Sequence, residues 1–293
     1  MTEIIVNIHT EKKYDTIVLP GGGIKGFYLL GSINYLLDSE LISDVHTYIG
    51  TSIGSLISYL TIIGYTPIEI ITTIQKNKYL EKIDNFSINS FVNCQGAIDF
   101  SQIYNIIEKM TLEKCGQLFT LQKLKETYNK TLVCVTYNMT KNITEYLDYK
   151  SYPDLPCLTA IRMSCNIPLI FDRFKYMNCY YIDGGLVNNF AIDEAHKYGN
   201  NVLGLNLDNS NSLEYQDKPE EGIISYFVKL VRITTFHNIK EKVKNYRDKM
   251  DIIDIYTDSD IKISPINFRA NIKVILDMFS CGYTLTRNKF ENK

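Results

Sequence analysis

"DTIVLPGGGIKGFYLLGSINYLLDSE", residues 15–40, decides the fold. The apolar run at 15–20 reads as a buried strand. Glycines occupy the next positions, and Leu29, Leu30, Ile33, Leu36 and Leu37 then recur at helical spacing over 24–38. The unit repeats at once. "VHTYIG" (45–50) reads as a strand and "SIGSLISYLTIIG" (52–64) as an apolar helix. Thr66, Pro67 and Glu69 form a helix-start signature for 66–77.

Further along, "KTLVCVTYNM" (130–139) and "TEYLDY" (144–149) suggest a strand pair, and "PCLTAIRMSC" (156–165) a helix. "CYYID" (179–183) reads as a strand, "FAIDEAHKYG" (190–199) as a helix and "NVLGLNLD" (201–208) as a strand. A long basic helix (222–247), a strand (250–257) and a last helix (270–289) complete the pattern. Strands alternating with helices predict an α/β fold with a mostly parallel central sheet between helices. No repeat or low-complexity linker interrupts it, so residues 1–293 are expected to form one domain. Its motifs fall within about 15–208, and an extension covers about 222–293.

The 293 residues are 45% hydrophobic, with a formal net charge of −2, which gives no global pull toward nucleic acid. Seven scattered cysteines lack CxxC spacing, so neither a zinc ribbon nor a redox motif is expected, and reduced thiols are. "MTEIIVNIHTEKKYD" is too polar for a signal peptide. No run nears the roughly 18 apolar residues of a membrane span. The expectation is a cytoplasmic or peripheral membrane protein, with export as an effector left open.

In a parallel sheet, sites gather at the carboxyl ends of strands. Three motifs fall there. Gly21, Gly23 and Gly26 fit GxGxxG, but a dinucleotide site needs an acid at the tip of the next strand. That strand ends instead in Gly50-Thr51-Ser52-Ile53-Gly54, a GxSxG between strand and helix, the context of a nucleophile elbow. Taken alone, Ser52 reads equally well as a helix cap. Asp183-Gly184-Gly185 closes the strand "CYYID", where Asp183 is either a base or a turn residue.

Together the three supply a nucleophile, a base and an oxyanion cradle, the parts of an acyl-transfer site. The Gly21, Gly22 and Gly23 amides then suit an oxyanion better than a phosphate. His9, His46, His196 and His237 each read better as surface or core residues than as a third catalytic member, which leaves a Ser–Asp dyad.

In their order and spacing, Gly21-Gly22-Gly23-Ile24-Lys25-Gly26, Gly50-Thr51-Ser52-Ile53-Gly54 and Asp183-Gly184-Gly185 resemble the patatin-like phospholipases. "AIRMSCNIPLIF" (160–171) and "LVNNFAI" (186–192) are similar to further family segments, although Ala191 stands where members often have Pro. The resemblance implies a three-layer fold and a lipid acyl hydrolase without metal or cofactor. It also implies Ser52 as nucleophile, Asp183 as base and Lys25 in the family's basic position. Phospholipid is the implied substrate, and a protein activator is left unidentified. The alternative is a catalytically silent lipid-binding or regulatory protein on the same fold.

Two surface features remain. Residues 78–100, with Tyr79, Leu80, Phe86, Phe91 and Phe100, suit either a lid or a helical layer. The basic helix carries an apolar stripe of Ile224, Phe227, Val228, Val231, Phe236 and Ile239. Packing of that stripe on the sheet is favoured over membrane contact. The acidic scraps "DNSNS" (208–212) and "DSD" (258–260) are not expected to hold a metal.

Overall fold

The computed structural model of the chain describes residues 13–82, 98–208, 223–257 and 270–291. Phe86, Phe91, the "DSD" stretch, His9 and all of "DNSNS" after Asp208 lie outside them. The strands are β1 (Thr16–Leu19), β2 (Thr47–Thr51), β3 (Thr131–Asn138), β4 (Ile143–Leu147), β5 (Phe174–Tyr176), β6 (Cys179–Asp183), β7 (Val202–Asp208) and β8 (Asp251–Tyr256). They form one sheet in the order β5-β6-β3-β2-β1-β7-β8, with β4 also on β3. Pairs β3–β2, β2–β1, β1–β7 and β7–β8 are parallel, whereas β4, β5 and β6 add antiparallel pairs at one end.

The central strands are apolar on both faces, as a sheet covered on both sides requires. Ile17, Leu19, Leu132, Cys134, Leu203 and Leu205 point into a large core, and their alternating neighbours Val18, Val133, Val135 and Val202 into a smaller one. The large core is covered by helices α1 (Gly26–Asp38), α2 (Ile53–Ile62), α3 (Pro67–Lys76), α4 (Tyr79–Lys82), α5 (Ser101–Cys115), α6 (Leu121–Tyr128) and α7 (Cys157–Ser164). Thr66 and Glu69 make the expected reciprocal cap of α3.

The segment 190–199 departs from the expected helix. After α8 (Gly185–Asn188) the chain makes two 3-10 turns, Ala191–Asp193 and Ala195–Lys197. Phe190, Ala191 and Ile192 are buried in succession, and three consecutive side chains cannot share one helix face. The β5–β6 hairpin around Met177 and Asn178, both at positive φ, was also not anticipated for 174–176.

Two C-terminal helices complete the layers. In α9 (Ile223–Tyr246), Ile239 is buried in the smaller core with Val243 and Tyr246 against it. Ile224, Phe227 and Val228 of its expected stripe have side chains outside the description, and Val231 and Phe236 are half-buried. The last helix, α10 (Ile272–Glu291), crosses α1 in backbone contact. A methyl on Gly31 would collide with the Phe279 carbonyl oxygen, and one on Gly282 with that of Tyr28. The Ser32 hydroxyl donates to the Gly282 carbonyl at 3.1 Å across the same crossing.

Overpacking a core position commonly costs about 1–3 kcal/mol, and a crossing of two backbones leaves little room to relax. Gly282→Ala is therefore expected to lower unfolding free energy by about 3 kcal/mol in urea denaturation. Gly116→Asn is expected to change it by less than about 1 kcal/mol, because that helix end is left-handed at φ 70° with open space around it.

Candidate active site

Helix α1, which follows β1, and helix α9, which follows β7, pack on opposite faces of the sheet. Three strand ends meet near its carboxyl edge. Register explains how. Thr51, the last residue of β2, faces Val135 of β3, and the next β3 residue, Thr136, faces Asp183 at the end of β6. Strands β2 and β6 thus lie end to end along one edge of β3. Ser52, which follows Thr51, comes up against Asp183.

Ser52 has φ 53° and ψ −125° and caps α2 with its backbone rather than its side chain. A non-glycine residue in this region is strained by about 1–3 kcal/mol. Several contacts hold it there. Its N–H donates to Ser164 Oγ at 2.9 Å, and Ser164 Oγ donates to the Val135 carbonyl at 2.6 Å. Its carbonyl accepts from the Ser55 N–H at 2.9 Å and the Ser55 hydroxyl at 2.6 Å. Gly54 lets α2 start against the β1 end, since a Cβ there would strike the Leu19 carbonyl.

Asp183 is 3% exposed. Its Oδ1 accepts from the Gly185 N–H at 2.6 Å, and its buried Oδ2 has no hydrogen-bond partner among the described residues. Burial pushes the carboxyl's pKa up to about 6, outweighing the neighbouring Ser52 hydroxyl and the Gly185 N–H, which both pull it down. A carboxyl in this state can take up a proton near neutral pH.

The glycine loop differs in detail from its expected role. The Gly21 N–H already donates to the Asn189 carbonyl at 3.2 Å, while Asn189 Nδ2 donates to the Gly21 carbonyl at 3.1 Å. Gly22 and Gly23 begin the turn into α1, with Gly23 at φ 56°. Among the described residues, no hydrogen bond takes up the Gly22 or Gly23 N–H. Lys25 donates to Thr257 Oγ1 at 2.9 Å. Burial, and then the Arg232 charge, lower its pKa to about 7.

Residue-type reasoning overlooked the supports of this arrangement. Asn189 ties the glycine loop to the segment after Asp183. Asn188 Oδ1 and Asp193 Oδ2 accept from Lys242 Nζ of α9 at 2.7 and 2.8 Å. The Asn166 carbonyl accepts the Asp183 N–H at 2.8 Å, and its side chain is held by buried Arg162 at 2.7 Å. The signal for the asparagines is their place in the family-like segments, Asn188 and Asn189 in "LVNNFAI" and Asn166 in "AIRMSCNIPLIF".

The described histidines are elsewhere. His46 precedes β2 at the opposite end from Ser52, His196 bonds the Asp193 carbonyl, and His237 sits exposed on α9. No group of three or more His, Cys, Asp or Glu side chains able to hold a metal occurs among the described residues.

A cavity of about 170 Å³ opens at Ser52. Apart from Ser52 it is lined by apolar and glycine residues, including Ile53, Leu56 and Leu60 of α2, Ile70 of α3 and Met110 of α5. Tyr79 and Phe100, weighed as lid residues, are buried in its wall.

The sequence model of the patatin-like phospholipases matches residues 17–196. "Probable lipid hydrolase 463L" of Invertebrate iridescent virus 6 is 38% identical over 192 residues, covering 64% of this chain and 66% of that protein, just under two thirds. Uncharacterized protein R571 of Acanthamoeba polyphaga mimivirus is 24% identical over 93% of this chain and 92% of its own length. Two solved structures share the fold. VipD from Legionella pneumophila has a TM-score of 0.54 at 15% identity, covering 96% of this chain and 67% of VipD. The type III effector ExoU has a TM-score of 0.55 at 10% identity, covering 95% of this chain and about half, 53%, of ExoU. The three-layer α/β fold, the ordered glycine, GxSxG and DGG motifs and the family match over 17–196 together make this chain a member of the patatin-like phospholipase family.

Proposed function

We propose that the chain hydrolyses fatty-acyl esters of phospholipids, as a phospholipase A or nonspecific esterase, through Ser52 and Asp183. One juxtaposition carries the reading: a strained serine beside a buried carboxyl, at the mouth of an apolar cavity. Asp183 takes the Ser52 proton as Oγ bonds to the ester carbonyl carbon. The displaced electron pair moves onto the carbonyl oxygen, where the Gly22 and Gly23 N–H groups receive it, with Gly21 as the anchored pivot. Such donors are typically worth about 3 kcal/mol each.

Collapse of the intermediate expels the alcohol, which regains its proton from Asp183. Water, deprotonated by the same carboxylate, then frees the fatty acid from Ser52. The acyl chain occupies the cavity between α2, α3 and α5. The proposal treats the chain as one domain, since β8 and α10 complete the same sheet and core.

Ser52→Ala and Asp183→Asn should each lower kcat/KM on a phospholipid or p-nitrophenyl ester by on the order of 10⁴-fold, with loss of fluorophosphonate labelling. Since Asp183 must be ionised to act, kcat/KM should rise with pH through an apparent pKa near 6. A flat profile from pH 5 to about 8 would remove Asp183 from the role of base.

Stability should move the opposite way. A carboxyl whose pKa is raised from 3.8 to about 6 by folding stabilises the protein below the unfolded value, and that contribution is lost as pH rises through the folded one. At pH 8, Asp183→Asn should therefore be more stable than wild type by on the order of 2–3 kcal/mol in urea, with the gain gone near pH 4.

Leu60 lies two helical turns along α2 from Ile53, deep in the cavity wall. Leu60→Trp should raise the ratio of butyryl- to palmitoyl-ester turnover by about tenfold. An unchanged ratio would place the acyl chain elsewhere.

A further inference from the structure

Helix α9 has two unlike halves. Its later part is anchored, through buried Ile239 and through Lys242 on Asn188 and Asp193. Its course toward the N-terminus follows the site. Asn238 Nδ2 donates to the Val187 carbonyl at 3.3 Å, and one turn earlier the Thr235 hydroxyl donates to the Gly185 carbonyl at 3.1 Å. Arg232 then lies near enough to Lys25 for its charge to act on that lysine. The helix thus passes over the Asp183 loop and reaches the glycine loop at the rim of the site.

The side turned away from these contacts is unusual for a surface helix. Tyr226, Leu230 and Ile233 are 50%, 45% and 45% exposed. At 3.6 residues per turn they fall on the side opposite Thr235, Ile239 and Lys242. The same outer face continues into His237, Lys240 and Lys244, all exposed. Among the described residues neither Lys240 nor Lys244 forms an ion pair, and Glu241 lies on the flank. The outer face therefore runs from three apolar side chains at the site's rim to cations further along. An apolar segment that inserts and cations that meet phosphate headgroups are the two components of interfacial binding.

We propose that the outward face of α9 is a docking surface for an anionic lipid bilayer, with Tyr226, Leu230 and Ile233 inserted and Lys240 and Lys244 on the headgroups. The charge of the face selects this partner. The proposal rests on the reading of the chain as a lipid hydrolase for its choice of occupant, but binding requires no turnover.

The test is flotation of the full chain with vesicles of phosphatidylcholine alone or mixed with phosphatidylglycerol. Wild type and Ser52→Ala should both bind the anionic vesicles, and salt should weaken binding. Leu230→Ser/Ile233→Ser and Lys240→Glu/Lys244→Glu should each weaken it by about tenfold or more, with soluble butyryl-ester turnover within about twofold of wild type. Unaltered binding in both double variants would overturn the proposal. So would absence of wild-type binding, or a dimer in light scattering that Leu230→Ser/Ile233→Ser abolishes. Loss of turnover with vesicle binding intact would count against the Ser52–Asp183 reading alone.

Discussion

The backbone of Ser52 is the constraint around which the rest of the site is arranged. A non-glycine residue at φ 53° persists only where its surroundings leave it no alternative. Here the surroundings come from four parts of the chain. Strand β2 delivers Thr51 in register with Val135, the Ser164 hydroxyl bridges the Ser52 N–H to that same Val135, and Ser55 holds the Ser52 carbonyl. The bare Cα of Gly54 then allows the start of α2 to lie against the end of β1. That contact fixes where the glycine loop stands relative to Ser52. The loop, the elbow and the carboxyl at the end of β6 are thus one mechanical unit, made rigid by a sheet buried on both faces.

Asp183 shows the opposite economy. Most buried polar atoms are paired, and an unpaired one lowers stability. Its Oδ2 is buried and, among the described residues, unpaired, while the backbone on either side is firmly held, the Asp183 N–H by the Asn166 carbonyl and Oδ1 by the Gly185 N–H. The scaffold therefore orients the carboxyl without neutralising it. Neighbouring Asn166 is positioned in turn by Arg162, a buried guanidinium stacked 4.2 Å from the Phe100 ring centroid and bonded to Asp172. A strong cation is close in the structure, but it is engaged with Asp172 and Asn166. Burial, rather than charge, is left to set the affinity of Asp183 for its proton.

Much of this was legible in the sequence, and its limits are physical. The parallel strands could be read because each is apolar on both faces and bounded by glycine or a cap. Ser52, Asp183 and the glycine loop could be read because each sits where a strand ends. What could not be read depended on pairing between distant segments. Nothing local to "FKY" (174–176) marks it as a strand; it becomes one because Cys179–Asp183 folds back on it. The 190–199 segment has helical composition, yet the smaller core takes Phe190, Ala191 and Ile192 in succession. The engagement of the Gly21 N–H was likewise invisible, because its acceptor lies 168 residues away at Asn189. For α9, the expectation that its apolar stripe packs inward holds for Ile239, whereas Leu230 and Ile233, outside that stripe, face out.

On the proposed reading, the two faces of the sheet divide the tasks of handling a lipid. The apolar cavity lies on the face covered by α1, α2, α3 and α5, and the cation-bearing α9 lies on the other, crossing to Lys25 only at the carboxyl edge. Ser52 stands at that edge, open to the cavity and within one loop of α9. A phospholipid ester has the same polarity step, with a hydrocarbon chain on one side of the carbonyl and a charged headgroup on the other. Transfer of the chain into the cavity gains roughly 0.8 kcal/mol per buried methylene, and the headgroup gains nothing by following it. A phospholipid bound as proposed would therefore hold its ester carbonyl at the boundary between the two environments. In this fold that boundary is set by where β1, β2 and β6 end, so the proposed reaction places its reacting bond by strand register rather than by any single contact to the substrate.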